Sequence, residues 1–219
     1  MKKIKFLINS NISHRGIYDN KRIIENTIDS FEKSINKKYA IELDLRLTKD
    51  NKIIVFHDEK LDRLSNRKGY IKDIDYREIK GISLINDNLI PTFDEVLNLV
   101  DGKVPLLIEL KDIKGFKLEK EVIKKLDNYN GEFAIQSFRP STIIYFRLFR
   151  NNYIRGLLIG NKSIISSIII KFCNPDFINV NKKFLDNKVI KKYNGIKLAY
   201  MISKEEKDLY KDKCDNIVI

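Results

Sequence analysis

The sequence has few of the residues that mark disulfide-rich, fibrous or low-complexity proteins. Only two of its 219 residues are cysteines, Cys173 and Cys214, and neither lies in a CxxC motif. This excludes a disulfide framework and favours a reducing compartment. Glycine (9 residues) and proline (4 residues) are also scarce, which excludes a collagen-like repeat and a flexible linker. We therefore expect a single domain over residues 1–219 with a sizeable hydrophobic core.

Long hydrophobic runs are missing as well. The longest candidate, Ile164–Phe172, is interrupted by Ser166 and Lys171, whereas a membrane-spanning helix needs about 18 or more apolar residues in succession. The apolar N-terminal run is broken by Lys5 and ends at Asn9, so it is too short for a signal peptide. The sequence predicts a cytoplasmic protein.

Acidic side chains are in the minority and are unevenly distributed. The chain has 42 Lys and Arg against 30 Asp and Glu, a net charge of +12, and residues 111–219 carry most of the excess, with 22 basic and 12 acidic side chains. Such an excess suggests nucleic acid, an anionic membrane surface or a phosphorylated ligand as a partner. It equally fits the Lys-, Ile- and Asn-rich composition of an AT-rich genome. No basic motif interleaved with aromatic residues occurs, so we do not expect nucleic-acid binding.

Short β-branched runs alternate along the chain with amphipathic segments of helical period. The predicted strands are Lys5–Ser13, Ala40–Leu45, Ile53–His57, Pro105–Leu110, Phe133–Phe138, Arg155–Ile159, Phe177–Val180, Lys197–Ile202 and Asn216–Ile219. The predicted helices are Ile24–Lys38, Thr92–Val100, Phe116–Tyr129, Pro140–Asn151, Lys182–Tyr193 and Ser203–Lys213. Capping boxes are expected where a Glu follows three residues after Thr92 and after Ser203.

This alternation predicts an α/β fold, a compact (β/α)8 TIM-type barrel, with a doubly wound open sheet as the competing fold. Nine predicted strands are one more than such a barrel needs. The segment between Leu47 and Lys52 is too short for a helix, so we expect an irregular, extended connection after the second strand. The polar, turn-rich segment from residue 60 to 89 is predicted to be a short loop insertion near the barrel mouth.

Ionisable residues lie at the ends of four predicted strands, where barrels carry their chemistry. Glu42 and Asp44 stand two apart on one strand and therefore share a face, and Glu109 and Lys111 repeat this spacing. Each residue alone has an ordinary reading as a surface charge. Together, three buried carboxylates are very costly unless a cation compensates them, and hard oxygen ligands favour Mg²⁺ or Ca²⁺.

The remaining strand-end residues fit a phosphodiester. Arg15 offers a fork of donors to phosphate oxygens, and Lys111 supplies a point charge. The only two histidines of the chain, His14 and His57, both lie at the ends of predicted strands and could serve as general acid and general base.

At these residues the sequence resembles the glycerophosphodiester phosphodiesterase family. The matching motifs are His14-Arg15-Gly16, Glu25-Asn26-Thr27 with Phe31, Glu42-x-Asp44, Thr48-Lys49-Asp50, Val55-x-His57-Asp58 with Leu61, Arg63 and Gly69, Ile90-Pro91-Thr92, Glu95-Val96-Leu97, Ile108-Glu109-x-Lys111 and Gln136-Ser137-Phe138.

The resemblance implies a (β/α)8 barrel that hydrolyses glycerophosphodiesters to sn-glycerol 3-phosphate and an alcohol. It implies that the two histidines are the acid/base pair and that Arg15 and Lys111 contact phosphate. It also implies that one divalent cation is held by three carboxylates, Glu42, Asp44 and Glu109. Which histidine is the base stays open.

The C-terminal third departs from the family pattern, because the chain has no tryptophan and no final Thr-Asp. The substrate pocket is therefore open to question; Gln136, Ser137 and Tyr200 are its candidate residues, although Tyr200 also fits a plain core position. Two alternatives remain: a lysophospholipid or polymer phosphodiesterase or transphosphatidylase that releases a cyclic phosphate, and a non-catalytic barrel that binds anions or a membrane. Peripheral contact with an anionic membrane is a further expectation, whereas the oligomeric state is not predicted.

Overall fold

Two structural units, each containing parallel strands, make up the described part of the chain. The computed structural model describes residues 4–111, 115–162 and 165–219. The first unit is Ser13–Glu132, and the second combines the described part of Met1–Ile12 with Phe133–Ile219. The helices are α1 (Phe6–Asn9), α2 (Ile28–Asn36), α3 (Tyr76–Ile79), α4 (Phe93–Val100), α5 (Lys117–Leu126), α6 (Pro140–Phe149), α7 (Ser167–Cys173) and α8 (Lys188–Lys191). The strands are β1 (Ile12–Ser13), β2 (Ala40–Leu47), β3 (Ile53–Val55), β4 (Leu106–Leu110), β5 (Phe133–Ser137), β6 (Ile154–Ile159), β7 (Phe177–Asn181), β8 (Ile196–Tyr200) and β9 (Asn216–Ile217).

In the first unit, β2 pairs with two other strands, β3 and β4. It pairs in parallel with β4, so that Asp44 lies opposite Glu109. On return it pairs antiparallel with β3, which places Leu47 opposite Ile53. The extended connection predicted after the second strand is thus confirmed. It also explains why nine strands were predicted where a barrel needs eight, because β3 is antiparallel to β2 and is the additional strand. Both faces of β2 are buried, although charged residues alternate with apolar ones along this strand.

In the second unit, β5 to β9 pair in parallel in chain order. Ile12 bridges in parallel to Val218, and the backbone N–H of Ile219 donates to Ile12 O at 3.0 Å. The core of this unit contains strand residues that pack together with residues of its helices, among them Leu157, Ile178 and Ala199. Eight of the nine strand predictions are confirmed, with ends that differ by one or two residues.

The strand predicted over Lys5–Ser13 is wrong for most of its length. The chain forms the single helical turn α1, and only Ile12–Ser13 is extended. An apolar run this short fits either state, and tertiary contacts decide between them. Here the side chain of Asn216 donates to Leu7 O at 2.9 Å and to Ser10 O at 2.7 Å, which satisfies carbonyls at the end of the turn.

Two long helices predicted near the C-terminus are also wrong. Lys182–Tyr193 is divided into a 3₁₀ turn (Lys182–Phe184) and α8, because the side chain of Asn187 caps a new start by accepting from Val189 N at 2.8 Å. In Ser203–Lys213 only a 3₁₀ turn forms, at Lys207–Tyr210. The capping pair Ser203 and Glu206 is nevertheless present, with its two reciprocal hydrogen bonds at 3.0 and 3.3 Å.

Helix ends elsewhere follow the local signals. Thr92 and Glu95 form the predicted capping box at the start of α4. The helix α2 begins at Ile28 rather than at the predicted Ile24, because Thr27 is its cap. The helix α7 was not predicted. It overlaps the apolar run Ile164–Phe172, whose first residue, Ile164, lies outside the described residues. Among the residues that the structure describes, no helix is both long and apolar enough to cross a bilayer.

The segment from residue 60 to 89 is folded around side chains of its own. It contains α3 and two 3₁₀ turns. Apolar residues of this segment pack with Ile54 of β3 and with Phe56, which follows β3. The buried apolar residues that the segment contributes are Leu61, Leu64, Ile71, Ile74, Ile79, Ile82 and Leu84. The segment is therefore anchored by burial although its sequence is largely polar.

The turn that follows β1 requires glycine at position 16. Gly16 has a φ of +82°, and a Cβ placed there would lie 2.4 Å from Ser30 Oγ and 2.8 Å from the Ser30 carbonyl carbon. The same Ser30 hydroxyl donates to Arg15 O at 3.2 Å. The close approach of this turn to α2 therefore fixes the backbone of the residues before it.

We expect Gly16→Ala to destabilise the protein more than Gly115→Ala. Gly115 has a similar φ of +80°, but an alanine Cβ at this position would meet no heavy atom within 4 Å, so its substitution costs about 1 kcal/mol of backbone strain. Gly16→Ala adds steric overlap, for a total of about 2–4 kcal/mol. Urea unfolding measures both losses, and equal losses would contradict the close approach.

Candidate active site

Three carboxylates from β2 and β4 meet in the first unit. One oxygen from each of Glu42, Asp44 and Glu109 lies within 4.8 Å of the others, and all three side chains are buried. The two-residue spacing directs Glu42 and Asp44 to one face, and the parallel register brings Glu109 beside Asp44. The structure thus brings together the three residues that the sequence predicts to be metal ligands.

Burial of this cluster shifts its ionisation. Burial raises the pKa of Glu42 well above its ordinary value, and the charges of Asp44 and Glu109 add to the effect. Burial likewise raises the pKa of Glu109 to about 7, even though the Lys111 ammonium opposes the shift. Burial also acts to raise the pKa of Asp44, but Lys111 and Arg15 outweigh it and hold that pKa below its usual range. With all three carboxylates ionised, the cluster would therefore carry more negative charge than its own cations can stabilise.

Lys111 and Arg15, the predicted phosphate contacts, lie against these carboxylates. Lys111 Nζ donates to Glu109 Oε1 at 2.6 Å and lies 2.8 Å from Asp44 Oδ1. The backbone N–H of Arg15 donates to Glu42 Oε2 at 3.0 Å, while its Nε lies 3.3 Å from Asp44 Oδ2. Asp44 Oδ1 and Arg15 Nε are buried, but neither has the geometry of a completed hydrogen bond. A carboxylate oxygen in this situation can still accept a metal ion.

Asn26 positions Asp44, and it was missed as a site residue. Its side-chain N–H donates to Asp44 Oδ2 at 2.8 Å, and its side-chain oxygen accepts from Asp44 N at 3.3 Å. Asn26 adopts a φ of +57°, a left-handed conformation that Asn tolerates better than most residues. The only sequence signal was its place in the Glu25-Asn26-Thr27 motif, which by itself assigns no role.

An ionic network connects Arg15 to His57. Arg15 Nη1 donates to the buried Glu25 at 2.7 Å, and Glu25 also accepts two hydrogen bonds from Arg63, at 2.7 and 3.1 Å. Arg63 Nε donates in turn to Asp58, whose other carboxylate oxygen lies 2.6 Å from His57 Nδ1. This network orients the imidazole through Nδ1, which leaves Nε2 for proton exchange. No role for Glu25, Asp58 or Arg63 was predicted from the sequence.

The two predicted catalytic histidines are both held neutral. Burial, assisted by the charge of Arg15, lowers the pKa of His14 to about 4. Burial also lowers the pKa of His57, against the opposing influence of Asp44. The backbone carbonyl of His57 accepts two hydrogen bonds from Arg46, at 2.8 and 2.7 Å, which fixes the end of this strand segment. Both imidazoles can therefore accept a proton at neutral pH.

The predicted pocket residues Gln136, Ser137 and Tyr200 belong to the second unit. Gln136 Oε1 accepts from Asn179 at 3.0 Å, and Ser137 Oγ accepts from a backbone N–H at 3.2 Å. The hydroxyl of Tyr200 donates to Ile159 O at 3.4 Å, and its ring meets the edge of a neighbouring phenylalanine ring at 6.3 Å. These contacts lie within the second unit, and the pocket role stays a prediction.

Comparison with known proteins identifies the same family along most of the chain. The model of the glycerophosphoryl diester phosphodiesterase family matches residues 14–201. A glycerophosphodiester phosphodiesterase of Caldanaerobacter subterraneus is 38% identical over 133 residues, 55% of this chain and 54% of that protein. A human lysophospholipase D is 31% identical over 145 residues, 60% of this chain and 45% of that protein. The chain thus spans about half the length of the curated relatives it matches.

Solved structures show the fold. A phosphodiesterase of Oleispira antarctica, in complex with the product sn-glycerol-3-phosphate, superposes with a TM-score of 0.85 at 21% identity and covers 97% of this chain and 93% of its own. The predicted (β/α)8 fold class is confirmed, and the doubly wound alternative is rejected. The family match extends over most of the residues and includes every member of the carboxylate cluster. The chain belongs to the glycerophosphoryl diester phosphodiesterase family.

Proposed function

We propose that the protein is a metal-dependent phosphodiesterase that hydrolyses glycerophosphodiesters to sn-glycerol 3-phosphate and an alcohol. The observation that carries this proposal is the buried cluster of Glu42, Asp44 and Glu109 flanked by Arg15 and Lys111. Family membership supports the reaction class, and the product complex of the Oleispira relative supports the product.

The carboxylate cluster fits one divalent cation, Mg²⁺ or Ca²⁺. Its donors are three hard oxygen ligands, one of them a buried Asp44 oxygen without a completed hydrogen bond. Glu42, Asp44 and Glu109 would hold the ion. When bound, such an ion polarises a phosphoryl oxygen and neutralises negative charge that develops on it.

The chain's own groups account for binding and proton transfer. Arg15 and Lys111 would donate to the phosphate oxygens of the substrate. One histidine would remove the proton from the attacking water or hydroxyl as it bonds to phosphorus. The other, protonated when substrate is bound, would give a proton to the alkoxide as its bond to phosphorus breaks. Asp58 keeps His57 oriented for this exchange by holding Nδ1.

A lysophospholipid is a second candidate substrate, favoured by the match to the human lysophospholipase D. It has the same phosphodiester core with one acyl chain retained. A panel of glycerophosphodiesters and lysophospholipids, followed by phosphorus NMR, separates the two and also reveals a cyclic phosphate product. The preferred substrate is the one with the highest kcat/KM.

Replacing either histidine should remove turnover without unfolding the protein. We expect His14→Ala and His57→Ala each to lower kcat by about 10²–10⁴-fold, the usual contribution of a general acid or base. A coupled assay for glycerol 3-phosphate release measures the loss, and circular dichroism checks the fold. Full turnover by either variant would contradict the proposed mechanism.

Metal removal should abolish activity, and the affinity for the metal should depend on pH. A chelator should inactivate the enzyme, and Mg²⁺ or Ca²⁺ should restore it. Because the pKa of Glu109 is raised to about 7, metal binding must displace a proton below that pH. We therefore expect calorimetry to show affinity several-fold tighter at pH 8 than at pH 6, and Glu109→Gln to weaken that pH dependence. Undiminished activity in chelator would contradict the proposal.

Asp58→Asn should lower kcat more than it changes KM. The amide has one acceptor oxygen where the carboxylate has two, and both Arg63 Nε and His57 Nδ1 need an acceptor here. The imidazole therefore loses its preferred orientation, at a cost of about 10–100-fold. Asp73→Asn, at an exposed carboxylate of the segment from residue 60 to 89, is the matched control and should leave kcat unchanged. A loss confined to KM would show that Asp58 acts only on substrate binding.

A further inference from the structure

The second unit contains a long stretch without any acidic residue. From position 133 to 175 the sequence has six basic side chains and neither Asp nor Glu: the basic residues are Arg139, Arg147, Arg150, Arg155, Lys162 and Lys171. This stretch forms β5, α6, β6 and α7. A surface of this composition attracts anions and repels a second copy of itself.

Large apolar side chains are exposed on the two helices of this stretch. Ile168 is 78% exposed and Phe172 64% exposed on α7, while Leu148 is 67% exposed and Phe149 56% exposed at the end of α6. The two helices touch, because Arg147 of α6 donates to Phe172 O at 2.7 Å. Exposed apolar side chains clustered beside basic ones are typical of interaction surfaces.

A basic groove lies beside the same helix. Its volume is about 450 Å³, and it is lined by Ser167, Ile170, Lys171, Asn174, Pro175, Lys188, Val189, Lys192, Tyr193 and Asn194, a set with three lysines and no carboxylate. In the part of the chain that the structure describes, none of these lysines forms an ion pair. Asp186, the acidic residue nearest in sequence to α8, pairs with Lys191 and Lys213 instead.

Helix geometry places the groove and the apolar residues next to each other. Ser167 and Lys171, four residues apart on α7, line the groove. Ile168 follows Ser167, and Phe172 follows Lys171, so these two apolar residues share the adjacent face of the helix. One side of α7 thus presents a cationic cavity, and the side next to it presents two unburied apolar side chains.

We propose that this surface docks on an anionic phospholipid membrane. The groove takes a lipid phosphate between Lys171, Lys188 and Lys192, and Ile168 and Phe172 insert among the acyl chains near the headgroups. Stable attachment to a membrane surface requires an apolar and an electrostatic contribution together, and this surface supplies both. A second copy of the chain is a poorer occupant, because symmetric pairing would bring like charges together.

Vesicle co-sedimentation with the full chain tests the proposal. The wild-type protein should bind vesicles of phosphatidylcholine mixed with phosphatidylglycerol, bind pure phosphatidylcholine far less, and dissociate as salt is raised. Substituting Lys171, Lys188 and Lys192 by Gln should weaken binding by about 100-fold, roughly fivefold for each lysine. Ile168→Ser with Phe172→Ser should weaken it by about tenfold.

Matched controls separate this surface from net charge and from catalysis. Lys33, Lys37 and Lys120 are exposed lysines of the first unit, and replacing all three by Gln removes the same charge but should leave binding near wild type. Leu209→Ser, at a residue 72% exposed elsewhere in the second unit, is the control for lost apolar surface. Turnover of a water-soluble glycerophosphodiester should be unchanged in every groove variant, so failure here is distinct from failure of the proposed activity.

Three results would overturn the proposal. The first is a wild-type protein that does not bind anionic vesicles. The second is equal loss of binding in the groove and control lysine variants, which would assign the effect to bulk charge. The third is a concentration-dependent dimer in light scattering that Ile168→Ser with Phe172→Ser dissociates, which would assign the surface to a second copy of the chain.

Discussion

The mutual repulsion of three buried carboxylates is the constraint on which the site of this protein depends. Two adjacent parallel strands place Glu42, Asp44 and Glu109 within reach of one ion, and burial makes their ionised forms costly. The raised pKa of Glu42 and of Glu109 shows that neighbouring cations compensate this cost only in part. A cluster that is incompletely neutralised by its own protein is a site prepared for a metal ion.

Two residues in the left-handed backbone conformation direct hydrogen-bond donors to the carboxylates of this cluster. Arg15 and Asn26 both have positive φ angles, +60° and +57°, and each is tied to the other by the hydrogen bond from Asn26 N to Arg15 O. These conformations direct the Arg15 N–H to Glu42 and the Asn26 amide to Asp44. The strain is sustained because Gly16 lets the turn approach α2 closely.

The sequence could predict those parts of the site that follow from local period. Two-residue spacing on a strand predicts that Glu42 and Asp44 share a face, whatever the neighbouring strand does. The orienting roles of Glu25 and Arg63 could not be predicted, because the contact between them joins residues 38 positions apart. The strand prediction over Lys5–Ser13 failed for a similar reason, since hydrogen bonds from Asn216 stabilise a helical turn there.

Charge balance links the site to the chain's uneven composition. The network around the cluster contains two more carboxylates than cations: Glu25, Glu42, Asp44, Asp58, Glu59 and Glu109 against Arg15, Arg46, Arg63 and Lys111. With every carboxylate ionised, one divalent cation would bring the net charge of this network to zero. The site would therefore draw its compensating charge from a metal ion rather than from a surplus of basic residues. The basic excess of residues 111–219 is thus available for contacts elsewhere on the protein, where lysines such as those of the α7 groove have no carboxylate partner among the described residues.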